Sequence, residues 1–349
     1  MGFFDSFRRN QNASLTNESN KEHSGEESAA INKEEVIDAN DSNNDSFVDE
    51  GIRVDKVEVV ERELPEDDDL PEVNESPAYK EIHSYAEKKP VKHTVGQTKI
   101  VAIINQKGGV GKSTTAINLA AALGEANKQV LLVDLDPQGN ATSGLGIDKG
   151  QINRCVYDVL LNDVPIQEVI IPDVCEGLDI VPATINLAGA EVELVSEMAR
   201  ENRLKDAVGS LRGKYDFILI DCPPSLGLLT VNALVAADKL IIPIQCEFYA
   251  LEGVTKLLDS MKRVKTRLNP SLDVYGILLT MYDGRTTLSR QVVNEVRNFF
   301  GKQVFETVIP RTVKLSEAPS YGMPITQYDP TGKGAQSYVN LSKEVISRG

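Results

Sequence analysis

The stretch that most constrains what this chain can fold into is Lys99-Ile-Val-Ala-Ile-Ile-Asn-Gln-Lys107-Gly-Gly-Val-Gly-Lys112-Ser-Thr-Thr115. An apolar, β-branched run breaks into a glycine-rich loop, and the loop opens a helix-forming segment from Thr115 to Ala126. Strand, glycine loop and helix in that order form the setting of a phosphate-binding loop. Glycines let the backbone wrap an anion, successive N–H groups point inward, and the helix N-terminus adds positive potential. Gly108, Gly109, Val110, Gly111 and Thr114 would form the cradle. Lys112 would neutralise phosphate charge, and the Ser113 hydroxyl is placed for Mg²⁺. The general pattern asks for glycine where Gln106 stands, and a second lysine, Lys107, occupies the start of the loop. From there Lys107 does not easily reach its own bound phosphates, but it can reach a nucleotide held by another subunit.

Charge is distributed unevenly. Residues 1–98 carry 11 Lys and Arg against 24 Asp and Glu, whereas residues 99–349 carry 26 against 28. Nearly all of the net charge of −15 therefore sits in the N-terminal part. That part is rich in Asn, Ser, Glu and Asp, and its apolar residues hold no sustained period. It cannot bury enough surface to offset chain entropy, so residues 1–98 read as a mostly disordered acidic extension. Val54–Val60 could form a transient strand or helix. A folded DNA-binding module in this part is disfavoured by the negative charge and the lack of an apolar core. The first nine residues, Met1-Gly-Phe-Phe-Asp-Ser-Phe-Arg-Arg9, concentrate aromatics and arginines and read as a docking peptide for a partner or membrane surface. Gly2 and Ser6 also fit a myristoylation pattern formally.

No stretch reaches the ~20 apolar residues of a membrane span, and no signal-peptide core is present. Cys155, Cys175, Cys222 and Cys246 lack paired metal spacing and form no disulfide framework at this length, which points to a reduced, cytoplasmic setting.

From Lys99 onward strands and helices alternate. Strands are expected at Ile100–Asn105, Val130–Asp134, Leu178–Val181, Phe217–Asp221, Leu240–Ile244, Val274–Thr280 and Val304–Val308. The main helices are expected at 115–126, 228–236, 251–268, 289–300 and 334–347. Short, continuously apolar strands separated by helices imply an α/β fold, with one doubly wound, mostly parallel sheet in residues 99–349. Ligands of such sheets bind at the carboxyl ends of the strands. Two strand ends supply acids: Asp134-Leu-Asp136 after one apolar run, and Asp221 after another. Asp136 is the better placed to orient an attacking water. Asp134 is read as supporting Mg²⁺ or the loop, and Asp221 as a Mg²⁺ ligand.

Six motifs in order now resemble one family. They are Lys107-Gly-Gly-Val-Gly-Lys-Ser-Thr114, the 134–146 run Asp-Leu-Asp-Pro-Gln-Gly-Asn-Ala-Thr-Ser-Gly-Leu-Gly, Asp221-Cys-Pro-Pro-Ser225, Glu247-Phe-Tyr-Ala-Leu-Glu-Gly253, Met281-Tyr-Asp-Gly-Arg-Thr286 and Val308-Ile-Pro-Arg-Thr-Val-Lys-Leu-Ser-Glu-Ala-Pro-Ser320. Together they resemble the ParA/Soj chromosome- and plasmid-partitioning ATPases of the deviant Walker A class. The resemblance leaves residues 1–98 uncovered. It implies an ATPase with slow intrinsic turnover, using ATP and Mg²⁺, whose ATP-bound homodimer binds nonspecific DNA and whose hydrolysis a ParB-like partner stimulates. Lys107 would contact phosphates of the partner subunit, Asp221 would be the Walker B carboxylate, and Pro310, Arg311 and Thr312 would line the adenine. Many relatives have Asn in place of Thr312.

The protein would then be cytoplasmic and nucleoid-associated. Arg285, Arg311 and Lys314 are the leading DNA contacts, followed by the 262–267 cluster within the basic run of residues 256–267. An alternative is a membrane-associated positioning ATPase of the MinD type, although the C-terminal residues supply no further amphipathic helix. A metal-cluster electron donor and a tyrosine autokinase find no matching cysteine or tyrosine context. The acidic extension could compete with DNA for the basic face.

Overall fold

The computed structural model describes residues 96–247 and 252–348. The expectations for the Phe/Arg motif of residues 1–9, for 54–60 and for the acidic extension lie outside the described residues, as does the middle of the 247–253 motif. Elements follow in the order β1 (Lys99–Ile103), α1 (Lys112–Glu125), β2 (Val130–Asp134), α2 (Asn140–Gly144), α3 (Val156–Leu161), β3 (Ile171–Cys175), β4 (Leu178–Val181), α4 (Leu187–Glu193), α5 (Arg203–Gly209) and β5 (Phe217–Asp221). After these come α6 (Leu228–Ala236), β6 (Lys239–Gln245), α7 (Glu252–Arg267), β7 (Asp273–Tyr282), α8 (Thr287–Phe300), β8 (Val304–Pro310), α9 (Val313–Glu317), α10 (Ile325–Tyr328) and α11 (Lys333–Ser347).

The strands form one eight-stranded sheet in the order β3-β4-β2-β5-β1-β6-β7-β8. All neighbours pair in parallel except β3 and β4. The chain moves one way from β1 to β2 and the other way from β5 to β6, so right-handed crossovers place α1 and α6 on opposite faces. On one face Val101, Ile103, Leu132 and Leu219 pack beneath α1 and α11. Alternating with them, Ile100, Ala102, Leu131 and Ile220 are also buried, and α6 packs against β1 from that side. Central strands with both faces covered account for the continuous apolar runs.

The doubly wound parallel sheet expected from the sequence is the one observed. One strand departs from the expected set. β3 reads Ile-Pro-Asp-Val-Cys, and proline suppresses a strand reading because it cannot donate to a ladder. That loss is tolerated on an edge strand, and β3 is an edge strand. It returns antiparallel onto β4 through Glu176-Gly177, with Gly177 at φ 68°. The short helices α2 to α5, α9 and α10 span too few turns to announce themselves by periodicity. Close approach explains Gly124 near the end of α1: a Cβ there would overlap the backbone carbonyl of Glu176.

Candidate functional site

The loop between β1 and α1 is held from β6 and from β7. Asn105, 3% exposed, donates its side-chain amide to the Pro243 carbonyl (2.7 Å) and accepts from the Lys107 N–H (3.0 Å). Thr280 near the end of β7 donates its hydroxyl to the Val110 carbonyl at 2.8 Å. Gly111 caps α1 at φ 88°, a left-handed conformation that side chains rarely adopt. A Cβ at Gly108 or Gly109 would meet open space, and the first amides of α1 have no intrahelical acceptor. Loop and helix start therefore present donors to a cavity of about 490 Å³, lined by Gly108, Gly109, Gly111, Lys112, Ser113 and Thr114. Asp136, Gln138 and Asn140 line it from the β2 side, and Pro224, Met281 and Pro319 close it further out.

Two acids meet at the carboxyl ends of β2 and β5, where Asp134 lies opposite Asp221 in the ladder. Both are fully buried, but they are used differently. The Asp134 carboxylate accepts from the Thr142 N–H (2.8 Å), the Thr142 hydroxyl (2.7 Å) and the Asp136 N–H (3.2 Å). Burial pushes its pKa up to about 6, partly offset by those bonds. With both oxygens engaged, Asp134 holds the loop that carries Asp136, and of the two roles expected for it the geometry favours loop support over Mg²⁺ ligation.

Neither carboxylate oxygen of Asp221 has a hydrogen-bond partner of good geometry among the described residues. Burial, with Asp134 adjacent, raises its pKa well above the carboxylate range, and the nearby Ser113 hydroxyl and the Lys112 ammonium oppose the rise. Lys112, 7% exposed, is pushed down by burial and supported by Asp221 and Asp136. The site thus concentrates carboxylates around one buried ammonium, with an unpartnered carboxylate beside a hydroxyl. Hard oxygen donors and surplus negative charge suit Mg²⁺. Among the described residues no three His, Cys, Asp or Glu side chains form a metal cage.

Asp136 is 6% exposed, faces the cavity and accepts from the Gln138 N–H at 3.0 Å. Lys107 does not line its own cavity, and its ammonium lies 3.8 Å from Glu247. Pro310, Arg311 and Thr312 are likewise not among the lining residues. The Arg311 N–H binds the Tyr282 carbonyl (2.9 Å), and the Thr312 hydroxyl caps α9 by accepting from the Leu315 N–H (3.2 Å).

Arg285 and Lys314 lie in the segments that follow β7 and β8, and Arg285, Arg311 and Lys314 are all exposed. The bases of α7, namely Lys256, Lys262, Arg263, Lys265 and Arg267, are exposed as well. Sequence reasoning missed Thr280, Asn105 and Thr142, which hold the site in shape. Asn105 and Thr280 are polar residues near the ends of apolar strands, which was the available signal, whereas Thr142 lies within α2 and carried none.

The family model described as an AAA domain matches residues 98–274. The chain is 56% identical over 251 residues to the sporulation initiation inhibitor protein Soj of Bacillus subtilis, an alignment covering 72% of this chain and 99% of that protein. It is 57% identical over 255 residues to the chromosome partitioning protein ParA of Myxococcus xanthus, covering 73% and 89%. Among solved structures it resembles a cobyrinic acid a,c-diamide synthase from Mycobacterium smegmatis with bound ATP analog and magnesium. That likeness has 41% identity and a TM-score of 0.64, over 71% of this chain and 94% of the other.

Proposed function

Because this chain belongs to the Soj/ParA family of chromosome-partitioning ATPases, we propose that it works as an ATP-driven switch whose nucleotide-bound homodimer holds DNA. Release follows hydrolysis stimulated by a ParB-like partner. The ATPase domain spans residues 99–349, with residues 1–98 as an acidic extension, and the protein works in the cytoplasm on the nucleoid.

In this reading the amides of Gly108–Thr114 and the Lys112 ammonium bind the nucleotide phosphates. Ser113 and Asp221 hold Mg²⁺, which when bound neutralises charge on the phosphate oxygens. Asp136 orients the attacking water and Asp134 fixes the loop that aims it. Slow intrinsic turnover suits a protein whose output is the state of the dimer.

The observation that carries the reading is Lys107. A loop lysine that does not line its own cavity, and is tethered loosely to Glu247, is free to complete a site on a second copy. The diamide synthase name belongs to the solved relative, and the higher identities to partitioning proteins favour partitioning over that activity. For a membrane-bound role of the MinD type, α11 offers no free apolar face, because Tyr338, Leu341 and Val345 are buried in the core. Among the described residues no helix is long and apolar enough to cross a membrane.

The test is retention of the full chain on random duplex DNA with ATP, with ADP and without nucleotide, at two salt concentrations. ATP-dependent, salt-sensitive binding is expected. Intact ATPase activity with no DNA binding in any state would overturn the proposal.

A further inference from the structure

Two of the cations expected to touch DNA, Arg285 and Lys314, already have anions. Arg285 clamps Asp283 with two parallel bonds, Nε to Oδ1 at 2.9 Å and Nη2 to Oδ2 at 2.8 Å. That forked geometry is the one a guanidinium offers to a phosphate. The Lys314 ammonium lies 2.9 Å from Glu317 Oε2 and 5.2 Å from the centre of the Tyr328 ring. The Tyr328 hydroxyl donates to the same Glu317 oxygen at 2.9 Å, and Tyr321 stacks on Tyr328 with ring centroids 5.0 Å apart. The segments that carry the two clamps leave β7 and β8 side by side, where the Arg311 N–H binds the Tyr282 carbonyl. Asp283 also feels Arg311, and the arginines, Arg285 foremost, hold its pKa down to about 2.

We propose that Asp283 and Glu317 are built-in competitors for DNA phosphate, positioning residues that occupy Arg285 and Lys314 and hold DNA affinity low enough for release. This rests on the reading that the surface binds DNA. In that setting a phosphate must displace a carboxylate at each cation, so part of every contact is spent on exchange. The basis is geometric. Arg285 is 90% exposed yet bonded twice to Asp283, and Tyr328 pins Glu317 where Lys314 reaches it. An exposed ion pair weakens its competitor by about two- to fivefold, and a dimer presents each pair twice. Screening by salt erodes the carboxylate's hold, so the competition fades as ionic strength rises.

The experiment measures DNA affinity of the full chain with ATP for wild type, D283N, E317Q and the double variant. Asp206→Asn on α5 is the control, since it removes the same charge from the sheet face opposite α1 and α10. E317Q and D283N should each bind about two- to fivefold more tightly at ~50 mM salt, and the double variant by about tenfold or more. These gains should shrink toward unity near ~0.3 M. In a Lys314→Gln background, E317Q should give no gain, which separates competition for Lys314 from a general effect of charge. Wild-type affinity in E317Q and D283N, or an equal gain in D206N, would overturn the competitor role while leaving DNA binding intact. Absence of DNA binding in wild type and all variants would overturn the DNA reading itself, and the competitor role with it.

Discussion

Thr280→Val tests whether β7 holds the phosphate loop in shape. The Thr280 side chain is 2% exposed, and its hydroxyl donates to the Val110 carbonyl at 2.8 Å. Val110 is itself 1% exposed, so no water can take the vacated place. Valine replaces the hydroxyl with a methyl of similar size, which removes the bond without opening a cavity. A buried acceptor left without a donor costs about 1–3 kcal/mol. For a domain of this size that corresponds to a fall in Tm of about 2–4 °C per kcal/mol.

The loop amides lose their preset arrangement as well. If about 1.4 kcal/mol of the loss is felt on binding, nucleotide affinity falls about tenfold. The assay is thermal unfolding together with titration of a fluorescent ATP analogue, comparing Thr280→Val with Thr280→Ser, which keeps the donor. The serine variant should stay near wild type in affinity. Equal behaviour of the two variants in both measurements would refute the idea that this bond supports the loop.

All three histidines lie before residue 96, so between pH 5 and 7 the buried acids dominate titration of the described domain. Asp134 is raised to about 6 by burial, so its folded form binds protons more readily than its unfolded form, and its contribution to stability grows as pH falls through 6. Because Asp221 is raised as well, stability of the nucleotide-free protein to urea should rise by about 1 kcal/mol or more from pH 7 to pH 5, and a steady loss over that window would contradict this. Gly124→Ala improves helix propensity by about 1 kcal/mol, but its Cβ overlaps the Glu176 carbonyl. A net loss of about 1–3 kcal/mol is expected, and a more stable variant would show that the α1 contact is slack. Lys112→Ala should weaken ATP binding by tenfold or more, whereas Lys107→Ala should leave it within about threefold and abolish ATP-dependent DNA retention. A Lys107→Ala variant as defective in ATP binding as Lys112→Ala would place that lysine in its own site.

How much of this was legible beforehand differs from element to element. The central strands β1, β2 and β5 were readable because burial on both faces demands unbroken apolar, β-branched runs. The glycine loop was readable because few residues other than glycine adopt φ near 88° at Gly111. β3 was hidden by its proline, and α2 to α5 by their brevity. At the site, the sequence left Asp134 between Mg²⁺ and loop support and read Asp221 as a Mg²⁺ ligand. The folded chain adds that Thr142, eight residues downstream, occupies Asp134, whereas neither oxygen of Asp221 is so engaged.

The sequence by itself determined the sheet, the phosphate loop and the family, because these rest on local patterns that any folded form must honour. Tertiary structure alone decided which polar groups are already in use. Thr280 reaches Val110 across 170 residues, and Asn105 reaches Pro243 across 138. A hydrogen bond depends on where two groups are brought in space, and their spacing along the chain does not disclose it.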